Sequence, residues 1–309
     1  MTRPLHRLRL PASALGLLLT AALGVVPSNK TEAADPLSVI VMDPLAAPLS
    51  CPCVKGYAQR EYEALAKHLE KQLGQPVRLT FSESLKTALK GDAKGKADLV
   101  IGKYSVVLAD AVTTQQMLQP LAALSGKDGS TTQSGLIVVP AQDPAQKVTD
   151  LKGYRILFGP AECDEKHAAA MGLLKSKGVQ WKLGEGGVSE TCSACSDGAT
   201  KILELGNDVR VATVISSYAQ PLLQGCGTIK KGDLRVVAET APVPFVTAFV
   251  HADLPKAKRD AIQSALFKIG EKPELCAALE TLVGFLPFEP PSPEPPAKKK
   301  RGLQPLISR

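Results

Sequence analysis

Aromatic residues are scarce in this chain of 309 residues: phenylalanine, tryptophan and tyrosine together make up 4% of it, with a single tryptophan. A hydrophobic core therefore has to rest on leucine, valine, alanine and isoleucine. The hydrophobic share as a whole is 44%. In a chain of this length, that share is enough for one large domain or for two lobes that each have a core.

The sequence also lacks the short motifs of several common enzyme classes. It contains no Walker-type glycine-rich loop, no HExxH zinc motif, no CxxCH haem motif and no Ser-His-Asp nucleophile motif. Each of these supplies a defined piece of chemistry, such as a phosphate cradle, metal ligands or an activated nucleophile. A common hydrolase, nucleotide-binding or c-type haem role therefore gains no support; we do not expect an enzyme, and we assign no catalytic residue.

Long apolar runs are missing from the chain after its N-terminal region. Arg3, Arg7 and Arg9 precede an apolar run over Ala12–Val26, and a small-x-small pattern ends at Ala33. This order is typical of an export signal, so residues 1–33 are predicted to be a signal peptide. No later segment offers the roughly 20 uninterrupted apolar residues of a membrane span. The sequence predicts a periplasmic or secreted protein that is not an integral membrane protein.

A strongly basic surface is missing too, although the formal net charge is +7. The signal segment and the C-terminal segment from Glu289 carry a net +3 each, which leaves about +1 for the rest. Nucleic-acid binding needs a clustered basic surface, so no nucleic-acid partner is expected. The tail "EPPSPEPPAKKKRGLQPLISR", residues 289–309, is rich in proline and then basic, and is predicted to be disordered.

Between these ends, short apolar strands alternate with amphipathic helices, which is typical of an α/β fold with parallel strands. "LSVIVMD", "PVRLTFSE" and "ADLVIGK" are predicted strands, and "YEALAKHLEKQL" is a predicted helix that ends at Gly74. A second series follows from "SGLIVVP" to "LRVVAET", and a final helical region is predicted from Pro255 to about Val283. The pattern predicts two lobes with a cleft between them, the first over 34–130 plus about 241–288 and the second over 131–240.

Several segments carry a resemblance to a known family. They are "YEALAKHLEKQLGQPVRLTFSESL", "KADLVIGKYSVVLADA", "SGLIVVPAQDPAQKVTDLKGYRILFGPAECDEKHAAAMGLLKSKGV" and "DLRVVAETAPVPFVTAFVHADLPKAKRDAIQSALFKI". In order and spacing, the chain resembles the phosphate, phosphite and phosphonate-binding proteins of ABC uptake systems, over roughly Pro36–Pro287. The resemblance implies a two-lobed type II periplasmic-binding fold. It also implies that the lobes close over a small solute, such as an oxyanion, and hand it to an ABC permease.

The chain departs from that family where an oxyanion would bind. The family carries a Ser-Thr-Ser-Gly-like run that cradles an oxyanion at a helix start, whereas this chain has Cys163-Asp164-Glu165-Lys166 followed by His167. The family's Ser-His-Asp stretch corresponds to Cys195-Ser196-Asp197 here, and a common acidic strand-end residue corresponds to Ile215. Two carboxylates suit the positive end of a helix dipole but repel an anionic ligand. The fold is expected to be kept and the oxyanion chemistry to be altered.

The resemblance implies that ligand contacts come from four loops that face the cleft. The predicted ligand-binding residues are Cys51, Cys53, Tyr57, Lys103, Tyr104, Ser105, Cys163, Asp164, His167, Cys195, Ser196 and Asp197. For Tyr57, and for Tyr62 as well, packing in the interior is an alternative to lining the cleft. His68, on the first helix, is predicted to be a surface or boundary residue.

Seven cysteines leave three further interpretations open. In an exported protein they can form disulfides, with at least one thiol left over. Alternatively, thiolates in the cleft could bind a soft metal ion such as Cu or Zn, or a metalloid. The ligands would then come from Cys51, Cys53, Cys163, His167, Cys192 and Cys195. Cys192 and Cys195 could also form a thiol-disulfide redox pair. An accessory interaction protein without solute binding is a further alternative, and no other cofactor is expected.

Overall fold

The computed structural model describes residues 35–50, 54–55, 57–184, 188–192, 194–206 and 209–290. The predicted signal peptide, Cys51, Cys53 and nearly all of the predicted tail lie outside the described residues. Within the described part of the chain, no helix is both long enough and apolar enough to cross a membrane.

Twelve strands and eight α-helices are described. The strands are β1 (Leu37–Met42), β2 (Val77–Phe81), β3 (Leu99–Lys103), β4 (Leu118–Leu124), β5 (Thr132–Gln133), β6 (Gly135–Pro140), β7 (Arg155–Leu157), β8 (Val211–Ser216), β9 (Leu234–Glu239), β10 (Val243–Pro244), β11 (Val246–His251) and β12 (Phe285–Pro287). The helices are α1 (Tyr62–Leu73), α2 (Leu85–Lys90), α3 (Tyr104–Thr114), α4 (Ala168–Ser176), α5 (Cys195–Leu205), α6 (Ala219–Gly225), α7 (Lys256–Phe267) and α8 (Pro273–Ala278).

The first lobe is built on a six-stranded sheet in the order β12-β4-β11-β3-β1-β2. β1 runs parallel to β2 and β3, whereas β11 is antiparallel to β3 and β4. Helices cover both faces, so every residue of β1 is buried. Alternate residues of β1 serve the two faces: Leu37, Val39 and Val41 join one apolar core, and Ile40 and Met42 join the other.

The second lobe is built on a four-stranded sheet in the order β7-β8-β6-β9. β8 runs parallel to β7 and antiparallel to β6. Its side chains also alternate between two cores: Ala212 and Val214 pack on one face, and Val211 and Ile215 on the other. Two separate sheets with separate cores agree with the predicted α/β fold of two lobes. The residue boundaries predicted for the lobes remain a prediction.

The chain crosses between the sheets twice, through a short antiparallel ribbon. β5 leads from the first lobe into the second and β10 leads back, and the two pair Gln133 with Val243 and Thr132 with Pro244. Both crossings therefore lie side by side in one ribbon between the two sheets. Elsewhere the lobes touch through side chains, and those contacts form the candidate site.

The first predicted helix is confirmed. Tyr62, Leu65 and Leu69 recur at helical spacing and are buried, and the helix ends at Gly74, whose φ of 65° lies in the left-handed region. That conformation is open to glycine at little steric cost. The prediction for His68 is wrong, because this side chain is only 4% exposed. Its Nε2 lies 2.8 Å from the carbonyl oxygen of Ala265 on α7, which covers α1.

The sequence predicted one helical region from Pro255 to about Val283, but the structure divides this region. α7 ends at Phe267, a 3-10 turn follows over Lys268–Glu271, and α8 occupies only Pro273–Ala278. The break has a local cause, since the residue before a proline is disfavoured in the α region and Pro273 can only begin a new helix. The segment after α8 supplies β12, an edge strand of the first sheet that the apolar pattern did not indicate.

Candidate functional site

The side chain of Lys103 reaches the space between the lobes from the end of β3. Lys103 is the last residue of that strand, and α3 begins at the next residue, so the chain passes from strand to helix without a loop. The turn is tightly packed: a Cβ on Gly102 would lie 2.8 Å from Cβ of Met42 and 2.9 Å from Cγ2 of Val107. Lys103 is thereby held rigidly, with its side chain only 7% exposed.

Glu165 reaches the same place from the second lobe. It lies in the loop before α4, where the Cys163 carbonyl accepts hydrogen bonds from the amides of Lys166 and His167 at 3.0 and 2.9 Å. The carbonyl oxygen of Glu165 rests directly on Gly135, the first residue of β6, where any Cβ would collide with it. The loop is therefore fixed against the sheet, and the Glu165 side chain is completely buried.

Lys103 and Glu165 form a buried ion pair between the lobes. The Nζ atom of Lys103 lies 2.6 Å from Oε1 of Glu165, and the Ser216 hydroxyl donates to the same oxygen at 2.6 Å. Burial tends to lower the pKa of Lys103. The negative charge of Glu165, with a smaller contribution from Cys163, outweighs that effect, so the pKa is raised above its usual 10.5 and the ammonium stays charged. Among the described residues, Oε2 of Glu165 has no hydrogen-bond partner.

Neutral hydrogen bonds flank the ion pair. The Ser105 hydroxyl, in the first turn of α3, donates to the carbonyl oxygen of Glu162 at 2.7 Å and accepts from the amide of Asp164 at 3.3 Å. On the other side, the amide of Ser216 donates to Sγ of Cys195 at 3.4 Å. The lobes are therefore in contact through a polar centre in which Lys103 and Glu165 neutralise each other.

A cavity of about 510 Å³ opens between the lobes on the side of the crossing ribbon. We call it the ribbon-side cavity. It is lined by Leu45, Tyr57, Ala58, Arg60, Gly126, Lys127, Asp128, Ser130, Thr132, Gln133, Ser217, Tyr218, Pro221, Leu222, Phe245 and Glu280. The lining comes from both lobes and from the ribbon, and much of it is apolar or aromatic.

Aromatic side chains from both lobes meet at the wall of the ribbon-side cavity. Tyr218, beside α6, stacks on Phe245, at the start of β11, with ring centroids 4.8 Å apart. The Arg60 guanidinium lies over the same Phe245 ring at 5.7 Å from its centroid. Tyr57, at the rim, donates from its hydroxyl to the carbonyl oxygen of Leu222 at 3.4 Å.

Arg60 is tied into a second buried ion pair within the first lobe. Its Nη1 lies 2.8 Å from Oδ2 of Asp43, and its Nε donates to the carbonyl oxygen of Leu279 at 3.1 Å. The Tyr62 hydroxyl donates to the same Asp43 oxygen at 2.6 Å. Burial, together with the Asp43 charge, raises the pKa of Tyr62 well above its usual value, so the phenol stays protonated.

The structure brings together part of the ligand set predicted from the sequence. Lys103, Ser105, Cys163, Asp164 and Cys195 lie around the Lys103–Glu165 pair. Tyr57 lies apart from them, at the rim of the ribbon-side cavity. That any of these residues binds a solute stays a prediction.

Four other predicted residues make contacts within their own lobes. Tyr104 stacks between Phe249 and Phe288, at centroid distances of 5.7 and 5.3 Å. Nδ1 of His167 lies 2.8 Å from the carbonyl oxygen of Gly159. The Asp197 carboxylate accepts from the amide of Ala194 at 3.3 Å at the start of α5, and the Ser196 hydroxyl lies 3.5 Å from it.

The cysteine interpretations gain no support from the described residues. Cys163, Cys192, Cys195 and Cys276 are free thiols, so neither a disulfide nor an oxidised Cys192–Cys195 pair is formed at these positions. Within the described ranges, no group of three or more His, Cys, Asp or Glu side chains could hold a metal ion. The predicted ligands Cys51 and Cys53 lie outside those ranges.

Several residues of the site were not predicted as ligands. Glu165 was noticed only as part of a departure from the family pattern, and Ser216, the last residue of β8, directly follows Ile215, which was noticed in the same way. Asp43 and Arg60 are paired across 17 positions of the chain, Gln133 belongs to the ribbon, and Phe245 directly follows it. Contacts of this kind depend on the packing of the lobes, which residue spacing does not reveal.

Solved structures of other proteins share this architecture. A Xanthomonas citri protein bound to chloride ion is 15% identical, with a TM-score of 0.60 over 82% of this chain and 92% of its own. A binding protein component of an ABC phosphonate transporter from Pseudomonas aeruginosa is 14% identical, with a TM-score of 0.59 over 82% of each chain. PhnD1 from Prochlorococcus marinus, in complex with methylphosphonate, is 13% identical, with a TM-score of 0.59 over 82% of this chain and 92% of its own. At such identities, these similarities establish the two-lobed fold alone.

Sequence comparison gives the family. No curated protein matches the chain. The family described as "ABC transporter, phosphonate, periplasmic substrate-binding protein" matches residues 56–295, which is more than half of the chain. The chain therefore belongs to the family of periplasmic substrate-binding proteins of phosphonate ABC transporters.

Proposed function

We propose that this protein is a periplasmic solute receptor that holds a small molecule in the ribbon-side cavity and delivers it to an ABC permease. The observation that carries the proposal is a cavity of about 510 Å³ whose walls come from both lobes. Small-molecule sites typically measure about 300–1,000 Å³ and combine apolar walls with a few polar groups. A solute that contacts both lobes stabilises the closed arrangement relative to an open one.

The lining supports a solute with a flat or apolar body. Tyr57, Tyr218 and Phe245 offer ring surfaces. Gln133 also lines the cavity and is 4% exposed, and in the described chain neither atom of its side-chain amide has a hydrogen-bond partner. A buried amide without a partner costs about 1–3 kcal/mol. A solute that carries both a donor and an acceptor is therefore favoured over a purely apolar one.

The cations near the cavity do not favour a free phosphonate as the solute. Arg60 is engaged with Asp43, Lys127 forms an ion pair with Glu280, and Lys103 is engaged with Glu165. An oxyanion would have to compete with a carboxylate for each of them. We therefore expect an uncharged or zwitterionic solute of moderate size.

Calorimetric titration of the purified protein tests the proposal. The probes are methylphosphonate, phosphite and phosphate, together with small aromatic amides such as benzamide. We expect the amides to bind and the oxyanions to bind weakly or not at all. Tyr218→Ala should weaken amide binding about tenfold or more, because it removes the stacked wall.

Val112→Ala serves as the matched control, since Val112 is 80% exposed on α3 and does not line the cavity. It should leave amide binding unchanged. Equal loss of binding in both variants, or no binding of any probe to the wild-type protein, would contradict the proposal.

A further inference from the structure

The donors around the Glu165 carboxylate are of the kind that bind a free anion. Two donors, Nζ of Lys103 and the hydroxyl of Ser216, converge on a single carboxylate oxygen, each at 2.6 Å. A charged donor and a hydroxyl at such distances make strong, charge-assisted hydrogen bonds. The donors come from opposite lobes, so the anion between them bridges the two sheets.

Lys103 needs an anion at this place. Its side chain is 7% exposed, and leaving a buried ammonium without a counter-charge costs several kcal/mol. Within the described chain, its only ion-pair partner is Glu165. The Lys103 ammonium therefore needs a counter-anion at this place, which can be a side chain of the protein or a free ion.

The Glu165 carboxylate uses only one of its two oxygens to accept these hydrogen bonds. A carboxylate offers about four acceptor positions on its two oxygens. Both donors use Oε1, while Oε2 is buried and, among the described residues, has no partner. An anion bound only through one oxygen behaves as a monodentate ligand, and a free anion of similar size can make the same two bonds.

The surroundings limit the charge of an anion that could replace Glu165. The pKa of Asp164 is raised by burial and, to a smaller extent, by the charge of nearby Glu165. The Cys163 thiol lies beside Lys103. A nearby carboxylate disfavours a doubly charged anion more than a singly charged one. The site therefore fits a small monoanion that presents one oxygen.

We propose that Lys103 and Ser216 form an anion-binding subsite between the lobes, which Glu165 occupies as a tethered anion. In the wild-type protein the side chain excludes free oxyanions from this subsite. When the carboxylate is removed and space is left, a small monoanion such as acetate or the methylphosphonate monoanion takes its place. This inference goes beyond the solute proposed for the ribbon-side cavity and does not depend on it.

Titration of Glu165→Ala with acetate tests the proposal. We expect this variant to bind acetate about tenfold or more tightly than the wild-type protein does. Acetamide, which has nearly the same shape and no charge, should not bind. Glu165→Gln, which fills the space with a neutral group, should not bind acetate either. Adding Lys103→Met or Ser216→Ala to Glu165→Ala should weaken the gained binding.

Thermal unfolding keeps the test decisive if Glu165→Ala is too unstable for calorimetry. Acetate should then raise the melting temperature of the variant more than acetamide does, and more than acetate raises that of the wild-type protein. Equal responses of variant and wild type to acetate would overturn the proposal. The absence of a solute for the ribbon-side cavity would leave this result unaffected, because that test uses Tyr218→Ala and other ligands.

Discussion

Two buried ion pairs in this protein look alike in distance and differ in how they are built. In the first lobe, Asp43 accepts from Arg60 at 2.8 Å, from the Tyr62 hydroxyl at 2.6 Å and from the amide of Leu45 at 2.9 Å. Arg60 makes a further bond to the carbonyl oxygen of Leu279. Both oxygens of Asp43 are therefore used, and all of the groups belong to one lobe.

The pair between the lobes is less complete. Glu165 accepts from Lys103 and Ser216 through one oxygen, and in the described part of the chain its other oxygen has no partner. Lys103 and Glu165 also come from different sheets, so separating the lobes exposes both to water without unfolding either core. The Asp43–Arg60 pair therefore stabilises the fold of a lobe, whereas the Lys103–Glu165 pair controls how the two lobes meet.

Breaking the pair inside the first lobe should have the largest effect. Arg60→Met leaves the Asp43 carboxylate buried without its counter-charge, with 0% of that side chain exposed. We expect the free energy of unfolding to fall by about 3–5 kcal/mol, measured by urea denaturation. Asp43→Asn combined with Arg60→Met should lose less than the sum of the single changes. A loss below about 1 kcal/mol in Arg60→Met would contradict the structural role assigned to the pair.

Breaking the pair between the lobes should have a smaller effect on unfolding and a larger effect on shape. Lys103→Met leaves Glu165 uncompensated, but the lobes can part and hydrate it, so we expect a loss of about 1–3 kcal/mol. Small-angle scattering without added solute should give a larger radius of gyration for Lys103→Met than for the wild-type protein. Arg60→Met, under conditions where it stays folded, is the control and should not expand in this way. Equal radii for Lys103→Met and wild type would count against an interlobe role.

Alkaline pH should weaken the Lys103–Glu165 pair more than the Asp43–Arg60 pair, and this is the smallest of the three expected effects on stability. The folded-state pKa of Lys103 lies above its usual 10.5. Above pH 10.5 the unfolded chain loses this proton before the folded one, so the stability that Lys103 contributes is complete below 10.5 and decreases as pH rises through the folded pKa. Arg60 stays protonated over this range. The stability difference between wild type and Lys103→Met/Glu165→Gln should therefore shrink as the pH rises above 10.5.

The matching comparison with Asp43→Asn/Arg60→Met supplies the control for that measurement. With Tyr62→Phe in both proteins, so that the phenol that donates to Asp43 does not titrate, this difference should change less over the same pH range, because the guanidinium does not titrate there. A parallel change in both double variants would show that the alkaline effect comes from other groups.

Sequence patterns were sufficient for elements with a clear apolar pattern. β1 and β3 were predicted from short runs of mostly apolar residues and α1 from helical apolar spacing, and Gly74 marks the end of α1. β12 was missed because it has only three residues and forms an edge strand that depends on pairing with β4. The break before α8 was missed although Pro273 indicates it, since the apolar pattern continues past the proline.

The candidate site was predictable where the family resemblance indicated loops that face the cleft. Lys103 and Cys163 were named from their loops, and both lie at the polar centre between the lobes. The role of Glu165 depends on a loop pressed against Gly135 and on a lysine 62 positions earlier in the chain. Neither condition has a periodic signature, because each arises only when the two lobes pack together.

A crystal structure of Glu165→Ala grown in acetate tests the central claim most directly. We predict an acetate between the lobes, with one oxygen within hydrogen-bond distance of both Nζ of Lys103 and the Ser216 hydroxyl. If Lys103 instead pairs with another carboxylate of the chain and no anion lies between it and Ser216, the tethered-anion account is contradicted.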